Sequence, residues 1–251
     1  MAKIVILGSS NAVPDENHEN THLAVVGQKY SVLIDCVSNP IVRIQQAGLS
    51  LDRLDNVILT HFHPDHVSGV PLLLMNMWLL GRKTALHIYG LDHTLDRVED
   101  LMNLYDWSGW PNFFQVIFHR LPQEEMTPVL SNEEFRILAS PVRHLIPTIG
   151  LRIEFVESGK TAAYSCDTEP CPQVTRLAEG VDVLIHEATG ASPGHSSAGQ
   201  AAGIARQAEV ESLYLIHDPT RQVDQKTLIK EAEDVFLGKI VLAEDFMELA
   251  F

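Results

Sequence analysis

The segment His61-Phe62-His63-Pro64-Asp65-His66 places three imidazoles and a carboxylate within six consecutive positions, directly after the apolar run Val57-Ile58-Leu59. Groups packed that densely desolvate and repel one another unless a positive charge lies between them. His61 and His63 are two apart in an extended segment leaving a strand, so both side chains can lean to one side and converge on one point. Asp65 and His66 follow Pro64, where the chain must turn, and can address a second point nearby. Imidazoles with carboxylates form a mixed nitrogen and oxygen donor set that suits zinc and tolerates manganese or iron.

Six residues do not close two metal sites, so further donors must come from other strand ends. Three stand out: His144 follows Ala139-Ser140-Pro141-Val142-Arg143, Asp167 follows Ala162-Ala163-Tyr164-Ser165-Cys166, and His217 follows Leu213-Tyr214-Leu215-Ile216. A carboxylate can bridge two cations and an imidazole cannot, which makes Asp167 the natural shared ligand. Strand alternation predicts that the Cys166 thiol points away from the metals. His18, His22, His87, His93 and His119 lack ligand-like neighbours and read as surface or packing residues, and His186 as a supporting or packing group.

The elements that must carry these residues are short. Strand-like runs, β-branched and bounded by Gly, Pro, Asp or Ser, fall at 3–7, 23–26, 30–35, 56–60, 85–89, 114–119, 135–139, 151–155, 161–165, 181–186 and 213–217. Helical patterns lie at 40–47, 67–80, 91–105, 172–178, 196–208 and 225–236. Hairpin-like strands come first and strand-helix alternation follows. That order predicts an α/β fold in four layers, two mixed sheets face to face with helices outside, whose loops meet along one edge. No linker interrupts residues 1–251, which read as a single domain.

Bulk properties narrow the partners. Thirty-three acidic residues against 18 basic ones give a formal charge of -15, which repels a long polyanion or a membrane surface. The apolar run at 70–80 falls short of the roughly 20 residues that span a bilayer, and reads as a buried helix or a subunit contact. Three cysteines, Cys36, Cys166 and Cys171, argue against a disulfide framework, and the first residues lack a signal-peptide pattern. A cytoplasmic protein without a membrane partner is expected.

Beyond the histidine-rich string, "LGSSNAVP" near the start, "HLIPTIGLRIE" at 144–154, "YSCDTEP" at 164–170, "LIHEATG" at 184–190, "GHSSAGQAA" at 194–202 and "LIHDPTR" at 215–221 resemble, in order, the motifs of ribonuclease Z within the metallo-β-lactamase superfamily. The resemblance implies the αββα sandwich of that superfamily, a homodimer, and a binuclear centre. His61, His63, His144 and Asp167 would hold one metal; Asp65, His66, Asp167 and His217 would hold the other. It also implies that Asp65 handles the attacking water, that Glu187 and His195 form a relay protonating the leaving oxygen, and that Arg221 matches an arginine four past the last ligand. The activity implied is a metal-dependent phosphodiesterase that cleaves RNA, or a small or cyclic nucleotide, by a metal-bound hydroxide. A departing alkoxide leaves poorly, and a positioned acid typically contributes about 10²–10⁴-fold. The alternative on the same fold is a hydrolase of a thioester, lactone or β-lactam, which has less use for such an acid. A non-catalytic metal-binding protein is a third reading. Taken singly, Glu187 is an ordinary carboxylate, and Ser196 and Ser197 are hydroxyls that could cap a helix.

The chain departs from the ribonuclease Z pattern in three places. Only residues 155–164 separate Glu154 from Ser165, so the basic arm that grips transfer RNA is missing, which argues against precursor transfer RNA as substrate. Asp218 in "LIHDP" adds a carboxyl beside the second metal set, and "SCDT" replaces "SGDT". The aromatic stretch 103–114 could stack a base near the cleft or bury a dimer contact, with plain packing as the simplest role.

Overall fold

The computed structural model describes residues 2–251. Its strands alternate between two covered faces. In β1 (Lys3–Gly8), Ile4 and Ile6 face the second sheet while Val5 and Leu7 face helices, so the strand is apolar throughout. Each such side chain contributes about 1.5–3 kcal/mol on full burial. The β2 (His22–Val26) and β3 (Ser31–Ile34) strands continue antiparallel. Helix α1 (Pro40–Gln46) then carries the chain to β4 (Leu54–Ile58), parallel to β3. A short turn of helix, α2 (Pro64–Val67), and α3 (Val70–Leu79) lead to β5 (Leu86–Leu91), and α4 (Asp92–Asn103) leads to β6 (Val116–Leu121), both strands parallel.

The second sheet repeats this plan. Strands β7 (Thr127–Ser131), β8 (Phe135–Val142), β9 (Thr148–Phe155) and β10 (Thr161–Tyr164) are antiparallel. Then α5 (Pro172–Leu177), β11 (Val183–Glu187), α6 (Ala198–Gln207), β12 (Ser212–Ile216), α7 (Gln225–Glu233) and β13 (Lys239–Leu242) add three parallel strands. The last strand, β14 (Glu248–Ala250), returns to pair with β1. The sheet orders are β14-β1-β2-β3-β4-β5-β6 and β13-β12-β11-β10-β9-β8-β7. One apolar cluster lies between the sheets and one lies under the helices of each, which gives the four-layer α/β sandwich expected from the sequence.

This architecture brings the chemistry to one edge. Parallel strands joined through helices place all their C-terminal ends on the same side, and a cleft forms there. The ends of β3, β4, β8, β10, β11 and β12 run into Asp35, His61, His144, Asp167, Glu187 and His217. The aromatic stretch lies elsewhere: the twelve residues of α4 carry the chain away from that edge before it begins. There the Trp78 and Trp110 rings stack at 5.0 Å, and Trp107, Trp110 and Phe113 pack against the core of the first sheet. Its position removes the option of stacking a base near the cleft. The run at 70–80 forms α3, whose Leu72 and Leu79, with Leu80 just beyond, are exposed.

Candidate metal centre

The sequence segment His61 to His66 forms one wall of the cleft. His61 Nε2 lies 3.0 Å from His63 Nδ1, and His144 Nε2 lies 3.1 Å from the same nitrogen. Asp167 Oδ2 is 3.9 Å from both His61 Nε2 and His144 Nε2. A second group adjoins it. His66 Nε2 is 3.6 Å from Asp65 Oδ2 and 3.5 Å from Asp167 Oδ2, while His217 Nε2 is 3.4 Å from Asp65 Oδ2 and 3.5 Å from Asp167 Oδ1. Donors at about 2.0–2.1 Å around a tetrahedral zinc stand roughly 3.3 Å apart, so both groups have the spacing of a ligand cage. All seven candidate ligands thus meet, and Asp167 presents an oxygen to each group.

Supporting contacts fix which ring nitrogen faces the cleft. His144 Nδ1 donates to Gly194 O at 2.7 Å, and His66 Nδ1 donates to Asp35 Oδ2 at 2.7 Å. The Thr189 hydroxyl donates to His217 O at 2.8 Å and so accepts from His217 Nδ1, also at 2.8 Å. Thr60 Oγ1 donates to Asp35 and lies 3.2 Å from His61 Nδ1. The Nε2 lone pairs of His61, His66, His144 and His217 are therefore aimed inward. Gly194 makes one of these contacts possible: its φ is +84°, and a Cβ there would lie 2.9 Å from His144 Nδ1. Asp35, Cys166 and His217 leave their strands in left-handed conformations, φ 61°, 54° and 53°, a cost of about 1–2 kcal/mol per residue in general. Such strain clusters where a fold over-determines the backbone.

Hydrogen bonding alone does not satisfy this cluster. His63 Nδ1 has at most one proton, yet faces the lone pairs of both His61 Nε2 and His144 Nε2. His66 Nε2 and Asp167 Oδ1 are buried with no partner. Divalent cations resolve all of these contacts at once, and the donor set fits them. The electrostatics of the cluster agree. Burial, with neighbouring imidazoles, holds His61, His63 and His144 below the ordinary histidine value, as neutral ligands must be. Burial opposes charge on His66 and His217 as well, but Asp167 outweighs it, aided by Asp35 at His66 and by Asp65 at His217, and both are raised. The second group carries surplus negative charge that a proton neutralises where a cation is absent.

Glu187 is fully buried, and its Oε1 lies 3.1 Å from His195 Nδ1 while accepting from Thr168 N and Ser196 N at 3.1 and 3.0 Å. Its Oε2 accepts from Thr189 N at 2.9 Å. The His195 ring faces His144 at 5.0 Å and His217 at 6.0 Å, at the mouth of the cleft. Burial disfavours its cation, but the bond to Glu187 and the charges of Glu187, Asp167 and Asp65 prevail and raise its pKa. Ser197 does cap α6, with Gln200 completing a capping box.

Other positions correct the sequence reading. The Cys166 thiol packs behind a ligand ring, its Sγ 3.6 Å from His61 Nδ1, the nitrogen opposite the inward Nε2, and β10 already ends at Tyr164. Asp218 stands outside both donor groups, and burial pushes its carboxyl up to about 6. Arg221 is exposed, and its Nε donates to Pro14 O at 2.7 Å. His186 donates from Nδ1 to Glu187 O at 2.9 Å and is buried on the helix side of its strand. Asp35, Thr60 and Thr189 were missed, although an acid ending the apolar strand "SVLID" was a usable signal.

The fold and this centre define a metal-dependent hydrolase, and the chain belongs to the metallo-β-lactamase superfamily: residues 30–217 match the family model described as "Beta-lactamase superfamily domain". Within it, the chain is similar to proteins named "Ribonuclease Z". That of Azobacteroides pseudotrichonymphae is 30% identical over 281 residues, covering 96% of each chain, and that of Methanothermobacter thermautotrophicus is 28% identical over 291 residues, covering 94% of this chain and 92% of the relative. Those alignments are longer than this 251-residue chain, so the relatives carry segments it lacks. In this chain β9 and β10 are joined by residues 156–160 alone. The fold is shared by the metallo-β-lactamase fold protein YhfI of Bacillus subtilis (TM-score 0.84, 24% identity, 99% and 98% of the two chains) and human short-form tRNase Z (0.79, 23%, 100% and 99%). A diphosphatase of the PhnP family also shares it (0.74, 21%, 100% and 98%).

Proposed function

We propose that the whole chain acts as one binuclear phosphodiesterase domain, hydrolysing a phosphodiester in RNA or in a small or cyclic nucleotide. The observation that carries this reading is the Glu187–His195 pair at the mouth of the cleft, 3.1 Å apart. It is supported by the ribonuclease Z relatives. His61, His63, His144 and Asp167 hold one divalent cation, zinc first and manganese or iron next, and Asp65, His66, Asp167 and His217 hold the other. When bound, such a pair supplies hydroxide at neutral pH and positive charge for the phosphoryl oxygens. Asp65 accepts the proton of the attacking water. His195 donates its proton to the leaving oxygen, and buried Glu187 stabilises the imidazolium before transfer and fixes the ring so that Nε2 faces the cleft. Hydrolysis of a thioester, lactone or β-lactam makes no such demand on His195. The zinc-loaded or manganese-loaded protein should turn over bis-p-nitrophenyl phosphate and an RNA dinucleotide, with the dinucleotide dependent on Asp65 and His195. Turnover of carboxylic esters alone would sink this reading.

Two coarser features accompany it. Among the described residues no helix is long and apolar enough to cross a membrane, and all three cysteines are free and buried. These support a cytoplasmic setting without a membrane partner. A homodimer is supported by α3, apolar but for Asn76 and exposing Leu72 and Leu79. Light scattering on Leu79→Glu should report a monomer if that face is the contact. The acidic surface and the missing arm disfavour precursor transfer RNA as the substrate.

A further inference from the structure

The route of the leaving group is not specified by the metal ligands, but His195 marks where it begins. A group that protonates the leaving oxygen must stand beside it, so the leaving alcohol occupies the His195 side of the cleft. A depression of about 540 Å³ opens there, lined by His195, Glu169, Pro170 and Gln200 among others. Pro170 and Gln200 also line a second depression of about 570 Å³ between α5 and α6, with Cys171, Gly203 and Ile204 on its walls. The two form one trough leading away from the reacting centre.

Its chemistry is selective. Besides His195 itself, the basic side chain lining it is Arg176, already held in a two-pronged pair with Glu125 at 2.6 and 2.8 Å, and the lining carboxyl is Glu169, which accepts from Gly194 N at 2.8 Å. A phosphate-bearing strand needs free cations along its path, and beyond His195 this trough offers none. Prolines, Cys171 and Ile204 instead give flat apolar walls, and the amides of Gln200 and Gln207 give hydrogen-bonding partners. Ser197 N occupies the Gln200 amide oxygen at 2.9 Å, which leaves its NH2 group as a donor. Each volume lies within the roughly 300–1,000 Å³ of small-molecule pockets.

We propose that this trough binds the leaving half of the substrate and that it takes an uncharged, flat alcohol such as a nucleoside, so that the enzyme cleaves small diesters whose leaving half bears no further phosphate. The inference rests on the phosphodiesterase reading above and narrows its substrate class. Gly203 provides the test, because a Cβ there meets nothing within 4 Å and a larger side chain projects into open space. Gly203→Trp should lower kcat/KM for a dinucleoside monophosphate by on the order of tenfold while changing that for methyl p-nitrophenyl phosphate, whose single ring stays beside His195, by less than about twofold. Gly203→Ala should leave both near wild type. A phosphate added to the leaving nucleoside should lower kcat/KM of the unaltered protein at low salt, and added salt should restore it. A wild-type protein that cleaves neither diester refutes the phosphodiesterase reading itself. If both are cleaved, equal effects of Gly203→Trp on the two substrates, or a preference for the phosphorylated leaving group, refute the trough alone.

Discussion

Replacing Asp35 by Asn isolates what the carboxyl contributes, because the side chain is fully buried and the amide has the same shape. Oδ1 accepts from Thr60 N at 2.8 Å, Oδ2 accepts from His66 Nδ1 at 2.7 Å, and Thr60 Oγ1 lies 2.9 Å from Oδ1 and 2.8 Å from Oδ2. An amide has one accepting end. If its oxygen stays with Thr60, its NH2 group faces His66 Nδ1–H, and the imidazole escapes the clash by moving its proton to Nε2, which then points an N–H at the second metal group. If the amide flips, the clash moves to Thr60 N and the loop carrying His61 loosens. Either outcome removes a hydrogen bond to a charged group, about 1.5–3 kcal/mol, or a fall in Tm of roughly 3–12 °C for a chain of this length. Loss of a contact that orients a ligand typically costs about 10–100-fold in metal affinity. Titration with zinc against a chromophoric chelator should therefore show one site weakened by that factor: the one holding His66 if the amide oxygen stays with Thr60, the one holding His61 if the amide flips. A variant that holds both ions within about twofold of wild type and melts at the same temperature would refute the claim that Asp35 sets the His66 tautomer.

His195→Ala should slow cleavage of a diester with an alkyl leaving group by about 10²–10⁴-fold, yet barely affect release of p-nitrophenolate, which needs no proton; equal losses on both would remove His195 from its role as acid. Because Glu187 raises the pKa of His195, and the acid must be protonated, kcat should fall as pH rises through that raised value, and Glu187→Gln should move this limb to lower pH. His22 provides a stability test outside the ligand set: burial lowers its pKa from 6.5 to about 4, despite the Asn20 carbonyl that accepts from its Nδ1. Between those values the unfolded chain binds a proton that the folded chain refuses, so stability declines as pH falls from 6.5 to 4, by about 3 kcal/mol in total, and His22→Gln should flatten that part of a denaturation-versus-pH profile. Zinc at about 100 times its Kd should stabilise the protein by roughly 2.7 kcal/mol over the chelated form. Because the neighbouring carboxylates raise the pKa values of His66 and His217 against burial, that binding should release protons, measurable by calorimetry in buffers of different ionisation enthalpy.

The sequence made some parts of this molecule legible because they obey local rules, and hid others that do not. Strands such as β1 and β3 are covered on both faces and read as unbroken apolar runs, so their positions followed directly. The β7 strand, with Pro128 inside it, and the short β13 and β14 are edge strands held by their neighbours rather than by their own pattern, and no local signal announced them. The helical reading over 67–80 was one element, yet the chain breaks at Ser68 and Gly69, where an added Cβ would lie 2.7 Å from the Val37 backbone. Histidines and acids at strand ends could be proposed as ligands because donor chemistry is a property of residue type. Their supports could not: that Thr189 holds His217, and Gly194 holds His144, depends on loops separated from those ligands by 28 and 50 positions. The placement of Cys166 has the same origin. Alternation is reliable only while the backbone stays extended, and the left-handed turn that brings Asp167 into the cleft also swings the thiol against His61. Residue types thus suggest which atoms bind, while the choice of which lone pair faces inward belongs to long-range packing.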